Sequence, residues 1–110
     1  MDVARLTMTL VALPGESWRL MDALRSVMPS RREPGCLGCE LLLTTDPTAP
    51  SRLRYVEQWS SEGDLRGQVG SDRFSRLLEA LEHASAPPEI CFDLDGRHYG
   101  LELVAAIRGN

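Results

Sequence analysis

The sequence predicts one α+β domain with the element order β-α-β-β-α-β, and three observations carry that expectation. Four short runs are rich in apolar and β-favouring residues, two longer ones carry leucines at helical spacing, and proline or glycine clusters close most of them. At 110 residues, 43% apolar and 25% charged, the chain has the size and composition of a single globular domain. Residues 1–110 are therefore read as one domain, with a core over about 5–95 and a C-terminal tail or short fifth strand over 96–110.

Arg5 to Leu13 is the first strand. Leu6, Met8, Leu10 and Ala12 share one face and Thr7, Thr9, Val11 and Leu13 the other, so it is expected to be covered on both sides. Pro14-Gly15 ends it. From Glu16 to about Arg32 the period becomes helical through Leu20, Leu24, Val27 and Met28, with a kink expected at Pro29. Leu37 to Thr45 is the second strand, Asp46 to Pro50 a turn, and Leu53 to Trp59 the third strand, making an antiparallel hairpin. Ser60 or Ser61 offers a helix N-cap, Gly67 and Gly70 weaken that helix, and Ser71 caps a second piece striped by Phe74, Leu77, Leu78 and Leu81. Ala86-Pro87-Pro88 stops it. Glu89 to Leu94 is the fourth strand, and Leu101 to Ile107 a short fifth strand or tail.

Two split β-α-β units joined by a hairpin give a ferredoxin-like antiparallel sheet with both helices on one face. The strands nevertheless read as apolar on both faces, and the leucine-rich second strand lies at an edge, where it invites association. A second copy packed sheet against sheet would cover both, so a homodimer is expected, disturbed by charge at Leu41 or Leu43.

The net charge of −4 and a pI near 5.1 oppose nucleic-acid binding, which needs a basic face. All basic side chains are arginine. No run approaches the ~20 apolar residues that span a bilayer, and the first strand does not have the form of a secretory signal. Three cysteines do not suggest a secreted disulfide scaffold, so the cytoplasm is the expected compartment.

Glu33-Pro-Gly-Cys-Leu-Gly-Cys-Glu-Leu41, Val56-Glu-Gln-Trp-Ser-Ser-Glu-Gly-Asp-Leu65 and Gly70-Ser-Asp-Arg-Phe-Ser-Arg-Leu-Leu78 resemble phrases of the antibiotic-biosynthesis monooxygenase family of dimeric α+β barrels. The resemblance spans about residues 5–95. It implies a sheet–helix pocket in each subunit and a cofactor-independent monooxygenase for a small phenolic, quinol or polycyclic aromatic substrate. Such chemistry needs apolar walls, a base and a donor for the developing oxyanion. Trp59 matches the family's strand-three tryptophan, with Tyr55 and Glu57 on its face by the two-residue period. Glu57 is the candidate base, Trp59 and Phe74 the walls, and Gln68, standing where the family often has histidine, an orienting hydrogen-bonder. Thr7 and Thr9 occupy the first-strand place where haem-degrading members carry asparagine, and are expected to line the site. The only asparagine here is Asn110, which argues against haem degradation.

The other readings are plainer. Glu57 could be a structural carboxylate paired with Arg5 or Arg54. The domain could be a non-catalytic ligand-binding or stress-related dimer of the same fold. Cys36 and Cys39, three apart on a strand, should face opposite ways and, with Cys91, act as small buried hydrophobes; no metal and no disulfide is expected. His83 suits a helix C-terminus, and His98-Tyr99 a surface or interface. No cofactor is expected.

Overall fold

The computed structural model describes residues 3–13, 15–30, 32–46 and 49–109, the side chains of residues 45 and 46 excepted. Five strands, β1 (Ala4–Ala12), β2 (Cys36–Asp46), β3 (Ala49–Trp59), β4 (Glu89–Leu94) and β5 (Arg97–Tyr99), form one antiparallel sheet in the order β2-β3-β1-β4-β5. The helices are α1 (Ser17–Arg25), α2 (Glu62–Val69), α3 (Asp72–Ala80) and α4 (Glu102–Arg108), with a 3₁₀ turn over Leu81–His83. The expected α+β, ferredoxin-like order is present. The turn expected over Asp46 to Pro50 falls partly on residues 47 and 48, outside the described residues.

Strand register decides what each face carries. Leu6 pairs with Glu57 and Phe92, Met8 with Tyr55 and Ile90, and Leu10 with Leu53. Of these, Leu6, Met8, Leu10, Leu53, Tyr55, Glu57 and Phe92 are fully buried, packed with Leu20, Leu24, Leu65, Val69, Phe74 and Leu77 from the helices. Each such leucine or phenylalanine contributes roughly 1.5–3 kcal/mol on leaving water. The opposite face holds Thr7, Thr9, Val11, Arg54, Val56 and Cys91, with no element among the described residues across it; Leu42 joins them at 54% exposure. Leu41 and Leu43 pair with Tyr55 and Leu53 and so belong to the helix side. Leu42, rather than Leu41 or Leu43, is the β2 leucine of the open face.

Four departures from the sequence reading have local causes. First, α1 ends at Arg25 instead of reaching Arg32. Ser26 Oγ donates to the Ala23 carbonyl at 2.7 Å, the next bonds tighten to the 3₁₀ pattern, and Pro29 can neither donate nor leave Met28 helical. Second, β3 begins at Ala49 rather than Leu53, because ladder pairing extends the hairpin to Asp46–Ala49. Third, a bulge at Leu37 shifts the register between Cys36 and Gly38. Cys36 then pairs with Trp59 and Cys39 with Glu57, so both cysteines lie on the helix side instead of on opposite faces. Fourth, the fifth strand is Arg97–Tyr99, and the stretch read as strand or tail from Leu101 to Ile107 is largely α4. Asp95 and Gly96, at φ 51° and 75°, make the tight turn that returns the chain as β5. Leu103, Val104 and Ile107 recur at helical spacing and pack against the core.

The second helical segment divides as its sequence predicts. Ser61 Oγ accepts from the Asp64 amide at 3.1 Å, and Ser71 Oγ from the Phe74 amide at 3.3 Å. Gly35, at φ 83°, sits where a Cβ would come within 2.5 Å of the Asp64 side chain, so only glycine lets the start of β2 approach the start of α2. Its carbonyl accepts from the Ser60 amide at 2.8 Å. Hydrogen bonds from Ser60 and Ser61 hold the Asp64 carboxyl below its ordinary pKa.

Candidate functional site

The chemistry of the helix side centres on Glu57. Alternation along β3 sends Leu53, Tyr55, Glu57 and Trp59 beneath the helices, and Glu57 is the one charged residue among the described residues buried there at 0% exposure. Its two oxygens accept four bonds: from Tyr55 Oη at 2.5 Å, Trp59 Nε1 at 3.0 Å, Arg73 Nη1 at 3.0 Å and Arg73 Nη2 at 3.0 Å. The partner is thus Arg73, neither Arg5 nor Arg54, whose side chains belong to the other face of the sheet. The two-pronged guanidinium matches the carboxylate geometry, which a lysine could not do.

Arg73 is held as firmly as the group it holds. Nε donates to Gln68 Oε1 at 3.1 Å and Nη1 also to the Val27 carbonyl at 2.9 Å. Gln68 Nε2 in turn donates to Glu33 at 3.1 Å. Gln68 therefore orients Arg73. The guanidinium lies 5.9 Å from the Trp59 ring centroid and keeps 13% exposure, so the cluster meets solvent at its Arg73 end. Burial alone would weaken the guanidinium's charge, but the Glu57 carboxylate outweighs it and raises the Arg73 pKa further. Burial, reinforced by the Glu57 charge, also pushes the Tyr55 phenol far up, so its proton stays in place and is donated to Glu57. Burial likewise pushes the Cys39 thiol up to about 12, against a hydrogen bond with Tyr55 that acts the other way.

Arg73 was missed by sequence reasoning, although a signal exists. It stands in the first turn of α3, where the helix dipole favours acids. A cation there signals a specific anionic partner.

The residues expected around one site fall into two groups. Tyr55, Glu57, Trp59, Gln68 and Phe74 gather under the helices, but Trp59, Tyr55 and Phe74 are fully buried and pack as core. Thr7 and Thr9 lie on the open face with the sheet between them and that cluster. A separate apolar groove of about 410 Å³ opens along the other flank of α3, lined by Leu78, Leu81, Pro87, Pro88, Ile90 and Leu101. Its size is that of a small-ligand site, and these six walls carry no titratable group. His83 lies on the exposed 3₁₀ turn. His98 faces Asp93 across the β4–β5 ladder. All three cysteines are free.

Residues 5–80 match the profile of the family described as Antibiotic biosynthesis monooxygenase. The chain belongs to this family. A curated relative, the heme-degrading monooxygenase of Bacillus thuringiensis subsp. konkukian, is 27% identical over 90 residues, covering 82% of this chain and 81% of its own. The crystal structure of PA3566 from Pseudomonas aeruginosa superposes with a TM-score of 0.63 at 27% identity, over 84% of this chain and 92% of the other. A conserved protein from Methanosarcina mazei superposes at 0.67 with 22% identity, over 86% and 93%, which bears on fold alone. Among the described residues of this family member, no helix is long and apolar enough to cross a membrane.

Proposed function

We propose that this domain is a cofactor-independent monooxygenase that acts, as a homodimer, on a small phenolic, quinol or polycyclic aromatic substrate. The reading is carried by one observation: in a chain of this family, strand three sets a carboxylate, a phenol and an indole against an arginine whose edge reaches solvent. The substrate's ionisable oxygen would dock at the Arg73 end. Drawing one prong of the guanidinium onto the substrate leaves one Glu57 oxygen with a single donor and able to take the proton, and the cation then holds the resulting oxyanion. The anion supplies the electrons. For an anthrone-like substrate a ring CH₂ becomes C=O, with one oxygen atom of O₂ retained and the other leaving as water.

A second reading, a binding protein of the same fold, is favoured by the full engagement of Glu57 and by the apolar groove along α3. Oxygen uptake with a panel of quinols and anthrones, without flavin, metal or nicotinamide, separates the two. Uptake above the uncatalysed rate that falls ~10²- to 10⁴-fold in Arg73→Met or Glu57→Gln, each shown to be folded, supports the enzyme. Tight binding of the same compounds without uptake, lost in Leu78→Glu, supports the binder. Titration with haem completes the panel, because the curated relative is named for heme degradation. Haem breakdown by this chain would overturn the small-aromatic assignment.

A further inference from the structure

At the β4–β5 end of the open sheet face, three side chains of different chemistry converge that no role above uses. Cys91 and Asp93 are two residues apart on β4 and so point the same way. The Asp95-Gly96 turn then places His98 directly opposite Asp93 in the ladder. One ligand atom from each, the thiol sulfur, a carboxylate oxygen and an imidazole nitrogen, lies within 4.8 Å of the others. Cys91 Sγ is 3.9 Å from Asp93 Oδ1, and His98 Nδ1 contacts that same oxygen. None of the three residues belongs to the Glu57 cluster or to the apolar groove.

We propose that Cys91, Asp93 and His98 form a binding site for a divalent transition metal ion of the zinc class. Bonds of about 2.0–2.3 Å to sulfur, nitrogen and oxygen place neighbouring ligands of a tetrahedral ion roughly 3.3–3.7 Å apart. The three donors, held on one short hairpin, already lie within 4.8 Å of one another, so that spacing asks for side-chain shifts of about 1 Å. The ion enters between Asp93 and His98, replacing their direct contact with two metal bonds. The Cys91 thiol loses its proton to solvent as its sulfur binds. Thiolate and carboxylate then supply two negative charges to a dication, with a neutral imidazole as third ligand. One soft, one borderline and one hard donor suit zinc or cobalt, whereas magnesium and calcium require several oxygen ligands and this set supplies them from Asp93 alone. The His98 side chain is 73% exposed in the single chain, which leaves the fourth position open to water. Arg5, opposite Asp93 in the β1–β4 register, brings a positive charge to the same face. The site therefore binds more weakly than a closed four-ligand centre.

The test uses the purified full chain, stripped with a chelator, kept reduced and titrated with Co²⁺. One Co²⁺ per chain should bind, with a near-ultraviolet thiolate-to-cobalt charge-transfer band that Zn²⁺ abolishes by displacement. Cys91→Ser should remove the band, and both His98→Ala and His98→Gln should weaken binding by about tenfold or more, at least the loss that follows removal of an outer-shell partner. Cys36→Ser and Cys39→Ser should leave it intact. The site is disproved if saturating cobalt gives no thiolate band, if the band follows Cys36 or Cys39 instead of Cys91, or if both His98 variants bind as wild type does.

Discussion

Replacing Glu57 by glutamine separates a carboxylate that organises the fold from one that only serves chemistry. The substitution keeps the shape but removes the charge facing Arg73, and replaces one acceptor oxygen with an amide NH₂ aimed at donors. At 0% exposure with four donors around it, Glu57 has no water to take over those bonds. Breaking a buried pair from one side destabilises by about 3–5 kcal/mol. The 13% exposure of Arg73 gives the stranded cation some solvent and places the expectation near ~3 kcal/mol, a large share of a small domain's stability. Urea unfolding at pH 7, followed by tryptophan fluorescence, measures it. A cycle with Arg73→Met isolates the pair: the double variant should be more stable than the sum of the single losses allows, by about 1.5 kcal/mol or more, since no lone charge stays buried. A loss below ~1 kcal/mol in Glu57→Gln, with additive behaviour in the cycle, would refute the argument that this cluster organises the fold.

Other expectations follow from the same geometry. Leu42→Glu, on the open face, should shift a sheet-packed dimer toward monomer in sedimentation velocity while leaving the fold unchanged by circular dichroism; an unaltered dimer would place the interface elsewhere. Because the Cys39 pKa is raised to about 12 in the fold, its contribution is fully present below the unfolded value near 9 and is lost as pH rises through 12. Urea midpoints should therefore decline from pH 9 upward, and Cys39→Ala should flatten that decline. At pH 8 the native Cys39 thiol should also alkylate more slowly than an ordinary cysteine, read by mass spectrometry of the digested protein. Ser71→Ala removes the α3 cap and should lower stability by about 1 kcal/mol in the urea assay, whereas Ser71→Asp should retain most of it.

How much of this was legible in the sequence varies with the range of the interaction. The strand and helix order, a cap at Ser60 or Ser61, the Ser71 cap and the shared face of Tyr55, Glu57 and Trp59 follow from periods of two and 3.6 residues and from turn chemistry, which act between near neighbours. These needed no tertiary information. The same local rules failed where a single residue changed the count. The Leu37 bulge put Cys36 and Cys39 on one side, and the Asp95-Gly96 turn made a strand of Arg97–Tyr99 and left Leu103, Val104 and Ile107 to form a helix.

The partners of the polar residues were decided by tertiary structure alone. Glu57 and Arg73 are 16 residues apart, and nothing in their spacing selects Arg73 over the eleven other arginines. Packing α3 across β3 selects it, because a buried carboxylate must find a partner within reach of its own oxygens. The resemblance groups Thr7 and Thr9 with that cluster, but the thickness of the sheet separates them from it. Cys91, Asp93 and His98 were brought together by ladder register. Sequence determined which way each side chain of a strand or helix points; only the folded sheet determined what it meets there, since the contacts of a buried charge come from residues that local periodicity does not connect.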